Sequence, residues 1–414
     1  MCSIITAGSG GIRLPSAPEK IHHSFEAGRR GKPDELESIL ANLVAAHFLG
    51  QDRLARFDLR VSGTVHSGKP LIRISGEVSE HLLKKPGVEQ EIALIVAKAY
   101  GRIHNQPGIS PADLGISFNF KPQSSKLAKN GKAGDSGEPI AVAYVNTPNH
   151  LPWERHLAVS LRDTIDWIYR HKGRVPAVLA NASGVKSIWG LRADGKIQVN
   201  AIYEGTRLIG LKSITIATEH ERVLGVHELR EKLYAIIHAH LGLLEVKYNA
   251  EFGSPHVTVN GCGAFPLGGW FADEGTREAK PYRDGFATYG VMEDSFSGED
   301  PSKPSATGTM LARHIAVSVV ANHLSDFARV SLSYVIGKEG VELNISTNGT
   351  GTMPQGRLES LVRDKFDLSI SKAAGNFKLR DPGLFLQIAA NADYFHSEDY
   401  AWNKAVVLHE ARRG

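Results

Sequence analysis

One order of predicted elements recurs three times along the chain: a helix, a two-stranded hairpin and a second helix. In the first round, "KPDELESILANLVAAHF" opens with a proline and two acids, and its apolar residues recur at helical spacing. "FDLRVSG" and "PLIRISGEV" then alternate apolar and polar residues on either side of a turn, which is typical of a hairpin. "VEQEIALIVAKAYGRIH" returns to the helical period. Such a chain must cover each hairpin with helices to bury its apolar face.

The second and third rounds repeat this order with new residues. Their main helices and hairpins are "WERHLAVSLRDTIDWIYRH", "KIQVNAIYEGTRLIGLKSITIATEH", "ATGTMLARHIAVSVVANHL" and "RVSLSYVIGKEGVELNIST". Hairpins followed by helices favour an α+β fold over a parallel Rossmann sheet, which requires regular strand-helix-strand alternation. We therefore predict three similar α/β sandwich units, each a hairpin-rich sheet covered by helices. Their predicted spans are 1–126, 127–256 and 257–414.

The composition limits the classes of partner. The 414 residues carry a formal net charge of +4 with the basic residues scattered, which argues against a nucleic-acid binder. Cys2 and Cys262 lack metal-type spacing and cannot form a disulfide framework, which fits a reducing compartment. No segment reaches the ~18 apolar residues of a membrane span, and the first residues lack the basic region of a secretory signal. We expect a cytoplasmic protein that contacts neither nucleic acid nor membrane.

Four loops combine glycine with charge, and loops of this kind are common sites of binding and catalysis. They are "GRRGKPDE", "KNGKAGDSGEP", "PLGGWFADEGTREAKPYRDG" and "SGEDPSKPSATG". Asp34 and Glu35 at a helix start either complement the helix dipole or hold a metal. Gly134 and Gly137 flank Asp135, which either meets a ligand or bonds the backbone of its own turn.

The loop "FSGEDPSKPSATG" has the features of an anion site and one feature against it. Lys303 precedes Pro304 at the start of a helix, where backbone amides and a lysine suit an anion. The spacing is not that of a Walker A motif. Glu299 and Asp300 stand where an anion would have to sit, so a plain capped helix is the alternative.

Taken in order, these segments resemble the S-adenosylmethionine synthetase family over nearly the whole chain. The family signature Gly-His-Pro-Asp-Lys is similar to "GKPDE", and Ser-Gly-Lys-Asp-Pro-Ser-Lys is similar to "SGEDPSK". The other matching segments are "SGEVS", "AYGRIH", "GKAGDSG", "RADGKIQV", "ATEHE" and "GGWFAD". The pseudo-threefold α/β repeat of the family agrees with the recurring element order.

The resemblance implies an ATP-dependent adenosyl transfer. Methionine sulfur attacks carbon 5′ of ATP, and the triphosphate leaves and is hydrolysed to phosphate and diphosphate. A leaving group with about four charges calls for lysine, arginine and Mg²⁺. The resemblance also implies K⁺ as a second cofactor and a homodimer or dimer of dimers, because the family's site lies between subunits.

The resemblance carries roles over to single residues. It places Asp34 on Mg²⁺ and Glu77 on K⁺, with Lys32, Lys196 and Lys303 as the catalytic lysines. The positions that it places on the substrates are Glu91, Gln123, Asp135 and Asp273 for the amino acid, Asp194 for the ribose, Phe265 for adenine, and Lys280 and Arg283 for the phosphates. "GTREAKPYRDG" offers Arg277 as a third match to the family's Arg-Lys pair.

Four positions depart from the family pattern. Lys32 replaces the signature histidine, Glu35 replaces the signature lysine, Glu299 replaces a phosphate-binding lysine, and Ser305 stands at a metal-binding aspartate. Two unit charges ~4 Å apart interact by ~4 kcal/mol at an effective dielectric of about 20, so reversing a lysine beside triphosphate matters. Two alternatives therefore stay open. One is the same scaffold with another nucleophile or other phosphate chemistry, and the other is a non-catalytic ATP-binding homologue.

Overall fold

The structure is a computed structural model, and it describes residues 20–123, 135–275, 280–292, 295–336 and 340–408. The fold is α+β, with three sheets covered by helices, which confirms the predicted fold class. Within these ranges, no helix has the length and apolar character needed to cross a lipid bilayer.

The strands in chain order are β1 (Lys20–Gly28), β2 (Phe57–His66), β3 (Lys69–Val78), β4 (Gly115–Pro122), β5 (Ile140–Tyr144), β6 (Leu191–Glu204), β7 (Arg207–His220), β8 (His256–Val259), β9 (Phe327–Ser333) and β10 (Glu342–Ser346). The helices are α1 (Pro33–Gln51), α2 (Glu80–Leu83), α3 (Val88–Ile103), α4 (Trp153–Arg170), α5 (Ala177–Ser183), α6 (Val226–Tyr248), α7 (Pro281–Asp284), α8 (Pro304–Ala321), α9 (Gln355–Lys365), α10 (Ile370–Asn376) and α11 (Pro382–Asn391).

The main helix of each predicted round is present as α1, α4 and α8. Helices α1 and α8 begin at Pro33 and Pro304, since proline lacks the amide that would be unpaired at a first helical position. Most residues of all three helices are buried. Helix α1 packs on β2, α4 on β1 and β6, and α8 on β5 and β9.

The predicted hairpins are confirmed, and each gains at least one further strand that the sequence pattern did not reveal. Strands β2 and β3 pair antiparallel, and β4 joins parallel to β3. Strands β6 and β7 pair in the same way, and β8 joins parallel to β7. Strands β2-β3-β4 and strands β6-β7-β8 therefore share one arrangement.

Two strands leave the unit in which the sequence places them. Strand β1 pairs with β6, and β5 pairs with β9, so the sheets run β1-β6-β7-β8 and β10-β9-β5. The predicted spans 1–126, 127–256 and 257–414 cut across both of these sheets. As a division of the chain into domains they stay a prediction.

Trp270 connects a loop of the third span to the core of the first unit. Its indole lies against Gly63, where an added Cβ would come within 1.8 Å of the ring. The ring nitrogen donates to Glu37 Oε1 at 3.0 Å, and the same oxygen accepts from the Gly63 amide at 2.9 Å. The buried indole thus fixes the "GGWFAD" loop on the first sheet.

Candidate active site

The "GKPDE" loop rests on the start of β6. The Gly31 amide donates to the Ala193 carbonyl at 3.1 Å, and the Arg29 amide donates to the Gly195 carbonyl at 2.8 Å. A Cβ on Gly31 would lie 2.4 Å from Ala193, so no larger residue fits there. This contact brings the first matched segment against "RADGKIQV".

The "GGWFAD" loop closes over the same strand through Asp194. Asp194 Oδ2 accepts the Gly269 amide at 2.7 Å, and Oδ1 accepts the amide of Gly195. A Cβ on Gly268 would lie 2.7 Å from Asp194 and 2.8 Å from Glu219. Burial raises the pKa of Asp194 above its ordinary value, although both amides favour the carboxylate. Three segments far apart in sequence therefore converge at Asp194.

The "SGEDPSK" loop lies on the start of β2, and Asp300 holds it there. The buried Asp300 carboxylate accepts the Phe57 amide at 3.2 Å and Arg56 Nε at 3.1 Å. Its other oxygen accepts the amide and the hydroxyl of Ser302 at 2.8 and 2.6 Å. Asp300 therefore holds the backbone of this loop in place. This structural role accounts for the presence of one of the two acids in the segment.

Asp284 ties the same loop to α7. Its buried carboxylate accepts the amides of Phe296 and Ser297 at 3.0 and 2.7 Å and the Ser295 hydroxyl at 2.5 Å. It also contacts Arg283. The residues of "PYRDG" and "SGEDPSK" therefore form one continuous structure.

Two lysines converge on Asp34. Lys32 and Lys280 each contact one of its carboxylate oxygens. Burial raises the pKa of Asp34, but the two ammonium groups outweigh it and hold the pKa below its ordinary value. Lys32, which stands at the signature histidine, thus forms an ion pair within its own loop.

Glu35 and Arg283 form a buried, bidentate ion pair. Arg283 Nη2 donates to Oε1 at 2.7 Å and Nε to Oε2 at 2.8 Å, a geometry that suits the guanidinium fork. Burial lowers the pKa of Arg283, yet Glu35 and Asp284 raise it well above its ordinary value. The carboxylate at the signature lysine is therefore matched by a guanidinium 248 residues later.

Glu299 faces Ser305 and Lys303. Position 305 also departs from the family pattern, whereas Lys303 matches it. The Ser305 hydroxyl donates to Glu299, and Lys303 Nζ lies 3.6 Å from its other oxygen. Lys303 also contacts Asp58 on β2. Burial lowers the pKa of Lys303, but Glu299 and Asp58 outweigh it and raise the pKa. Glu77 lies next to this group, because its register partner on β2 is Asp58.

Lys196 lies on β6 beside the "GKPDE" loop. It pairs with Gly28 in the sheet register, and its half-exposed ammonium lies 3.0 Å from Glu26 Oε2. The resemblance assigns five cationic residues among the described ones to catalysis or to the phosphates. Each of these side chains contacts a carboxylate of the protein. They are Lys32, Lys196, Lys280, Arg283 and Lys303.

Other predicted site residues lie around this cluster. Gln123 donates its amide to the Val78 carbonyl at 3.0 Å, which places it one residue from Glu77. Phe265 is half-buried, and its backbone bonds His220 at the end of β7. Asp273 is exposed and donates its amide to the Gly269 carbonyl at 3.1 Å.

Two predicted residues show no described contact with the cluster. Glu91 lies on α3 with its carboxylate 3.3 Å from His47, toward the far end of α1 from Asp34. Asp135 accepts the Ser136 amide at 2.9 Å, a contact within its own turn. Arg277 and residues 124–134, which include the start of "GKAGDSG", lie outside the described residues.

Several residues that build this site carry no local sequence signal. Glu26 lies in strand β1 and Asp58 in strand β2, and neither belongs to a recognisable motif. Asp284 is the last residue of the short helix α7. Arg29 is fully buried and bonds Asp166 at 2.8 Å, the Thr218 hydroxyl at 2.6 Å and the Asp194 carbonyl at 3.1 Å. Their importance follows from tertiary contacts alone.

The described side chains do not fit a preformed Mg²⁺ site. Both oxygens of Asp34 hold ammonium groups, and position 305 offers a hydroxyl that is engaged with Glu299. Across the described ranges, no group of three or more His, Cys, Asp or Glu residues is placed to hold a metal ion. Mg²⁺ commonly takes one or two protein carboxylates together with substrate phosphates. We derive no step through a metal.

One family of proteins has a sequence similar to this chain. Residues 267–404 match the family model described as S-adenosylmethionine synthetase, C-terminal domain. Along this match the chain is similar to the S-adenosylmethionine synthetase family, and the relatives described next are less than 30% identical to it.

Relatives match along almost the full length. The chain is 27% identical to the S-adenosylmethionine synthase of Aquifex aeolicus over 395 residues, covering 94% of this chain and 97% of the relative. The corresponding protein of Salinibacter ruber is 27% identical, with coverage of 94% and 96%. That of Salinispora tropica is 28% identical, with coverage of 91% and 94%.

Proposed function

We propose that this protein is an ATP-dependent adenosyltransferase of the S-adenosylmethionine synthase type. The sulfur lone pair of methionine attacks carbon 5′ of ATP, the carbon–oxygen bond breaks, and the triphosphate leaves with the electron pair. Hydrolysis then yields phosphate and diphosphate. The observation that carries the proposal is the convergence of Gly31, Asp194 and Gly269, which unites three matched segments at one place.

The surrounding residues support specific roles in this reaction. The Asp194 carboxylate, which accepts two backbone amides, would accept a ribose hydroxyl. Lys196 and Lys303 would meet the phosphates, and Phe265 would lie against adenine. Because these lysines contact protein carboxylates, the incoming phosphates must replace Glu26, Asp58 or Glu299 as their partners.

The amino-acid site is proposed from Glu91, Gln123, Asp135 and Asp273. Glu91 and Asp135 lack described contacts with the Asp194 cluster, so a second subunit is the simplest source of these side chains. We propose a homodimer or a dimer of dimers in the cytoplasm. Light scattering coupled to size exclusion checks the assembly.

A requirement for Mg²⁺ and K⁺ is a further part of the proposal, and the resemblance assigns Asp34 to Mg²⁺ and Glu77 to K⁺. Activity measured with each cation withheld in turn tests this requirement. Activity that persists in EDTA would exclude it for Mg²⁺.

The test of the main proposal is product analysis by mass spectrometry after incubation with ATP, methionine, Mg²⁺ and K⁺. S-adenosylmethionine with stoichiometric phosphate and diphosphate is expected. Lys196→Ala should abolish the product, whereas Lys212→Ala, an exposed lysine on neighbouring β7, should not. No adenosylated product in the wild-type protein would reject the proposal.

A second candidate function is the same scaffold with another acceptor or other phosphate chemistry. It is favoured by the Glu35–Arg283 pair and by Glu299 beside Lys303, since both place carboxylates where the family has lysines. ATP consumption across a panel of small thiol, thioether and amine acceptors separates it from the first. Strict methionine dependence would exclude it, and ATP binding without any turnover would instead identify a non-catalytic homologue.

A further inference from the structure

A cavity of about 410 Å³ lies behind the "GKPDE" loop, between α1, α3, α4 and α11. Its size is within the range of about 300–1,000 Å³ that is usual for small-molecule pockets. Gly31 and Ala193 form part of its wall, so it adjoins the candidate active site without containing any of the predicted catalytic or substrate residues.

The inner wall of the cavity is apolar. It is formed by aliphatic side chains of three helices: Ile39, Leu43, Ile95, Ile103, Leu386 and Ala389. Leu386 is half-exposed although it belongs to a helix whose other large side chains pack inward. An apolar surface of this kind favours a hydrocarbon or aromatic body.

The mouth of the cavity is basic. Arg30, Lys98, Arg102 and Arg170 line it, and the last three are exposed. Burial lowers the pKa of Arg170, and the charge of Arg30 lowers it further, while Asp166 and Asp163 oppose the change.

The carboxylates nearest the mouth are already engaged. Asp166 accepts from Arg29 at 2.8 Å and from Arg30 at 2.7 Å, and Asp163 lies 3.0 Å from Arg162. Lys98 and Arg102 form no ion pair with any residue in the described part of the chain. The mouth therefore carries an excess of positive charge over an apolar interior.

We propose that this cavity binds an amphipathic anion, with its apolar body between α1, α3 and α11 and its single carboxylate or phosphate head group at Arg102 and Arg170. Charge-assisted hydrogen bonds to guanidinium groups would fix the head, and burial of the body would supply the remaining affinity.

The test is calorimetric titration of the full chain with decanoate, decyl phosphate and decanol, in the absence of ATP and methionine. Decanoate or decyl phosphate should bind saturably at one site per chain, and the stronger of the two identifies the head group. Decanol should bind about tenfold more weakly or worse, because it lacks the charge.

Three variants locate the binding. The Arg102→Gln, Arg170→Gln double variant should weaken the anion about tenfold and leave decanol unchanged. Both positions are exposed, so folding is preserved. Ala99→Leu, which narrows the cavity, should weaken both probes, whereas Arg222→Gln, an exposed arginine outside the cavity, should weaken neither. Absence of saturable binding, or affinity unchanged in the cavity variants, would overturn the proposal.

Discussion

Glu35 and Arg283 meet through two parallel hydrogen bonds of 2.7 and 2.8 Å in the buried floor of the candidate site. Glu35 stands at the position where the family pattern has a lysine. An unmatched carboxylate here would be costly, because a buried charge without a partner loses its hydration. The guanidinium therefore makes the altered signature compatible with a folded protein.

Removing one partner of this pair should destabilise the protein strongly. Glu35→Gln leaves the buried Arg283 without its main counter-charge and should lower the free energy of unfolding by about 3–5 kcal/mol in urea titrations. The double variant Glu35→Met, Arg283→Met should cost less than the sum of the single variants, because both charges of this pair are removed together, while Asp284 keeps its hydrogen bonds from Ser295, Phe296 and Ser297. Lys84→Gln, which removes an exposed ion pair to Glu80, is the matched control and should have little effect. Equal effects at the two pairs would contradict this account.

Restoring the family's lysine at position 299 should increase affinity for polyphosphate. Glu299→Lys removes the negative charge 3.6 Å from Lys303 and adds a positive one, so tripolyphosphate should bind about tenfold more tightly or better at low salt. The gain should shrink as ionic strength rises. Calorimetry at low and high salt measures both, and Glu299→Gln should give an intermediate affinity. An affinity that does not follow this order would show that the loop does not face phosphate.

Substitution of Gly268 should damage the site more than the fold. The Cβ of Gly268→Ala would lie 2.7 Å from Asp194 and 2.8 Å from Glu219, so the loop must shift away from β6. We expect adenosyl transfer to fall by at least about tenfold, because small displacements of positioning groups are costly. Gly242→Ala in α6 has open space and should retain activity. Product formation and thermal unfolding, measured together, separate the two effects.

The protein should lose stability as the pH falls below about 6.5. Burial lowers the pKa of His104 to about 4, and its Nε2 has no hydrogen-bond partner among the described residues. The folded state therefore holds His104 neutral. Its contribution is complete above the unfolded pKa of about 6.5 and is lost progressively toward pH 4, reaching roughly 2 kcal/mol at pH 5. Urea titrations at pH 7.5 and 5.0 measure the loss, which should be smaller in His104→Gln. The same loss in that variant would contradict the assignment.

The long helices and hairpins could be predicted because their patterns are local. The spacing of apolar residues in α1 and the alternation in β2 and β3 depend only on neighbouring residues. Strand β5, "IAVAY", was not predicted, because a short apolar run has no period that separates a strand from a helix. Strand β1 has a mixed burial pattern, and only its pairing with β6 identifies it.

The resemblance indicated candidate site residues but not the side chains that they contact. It indicated Asp194 and Lys303, and the structure shows the segments of Gly31, Asp194 and Gly269 in contact. The contacts of Glu35 with Arg283 and of Glu299 with Ser305 depend on side-chain geometry, which no spacing in the sequence encodes. In the sequence, Asp300 stands where an anion would have to sit. In the structure, its carboxylate holds the backbone of its loop.

The anchoring of Trp270 in the first unit has a consequence for synthesis of the chain. The Trp270 indole packs on Gly63, and the amide of neighbouring Gly269 donates to Asp194, so this loop connects the first sheet to β6. A ribosome must therefore have released more than 270 residues before the site can close. Until then the surface above Gly63 is not covered by the indole. The loops are present in the nascent chain but have not yet come into contact.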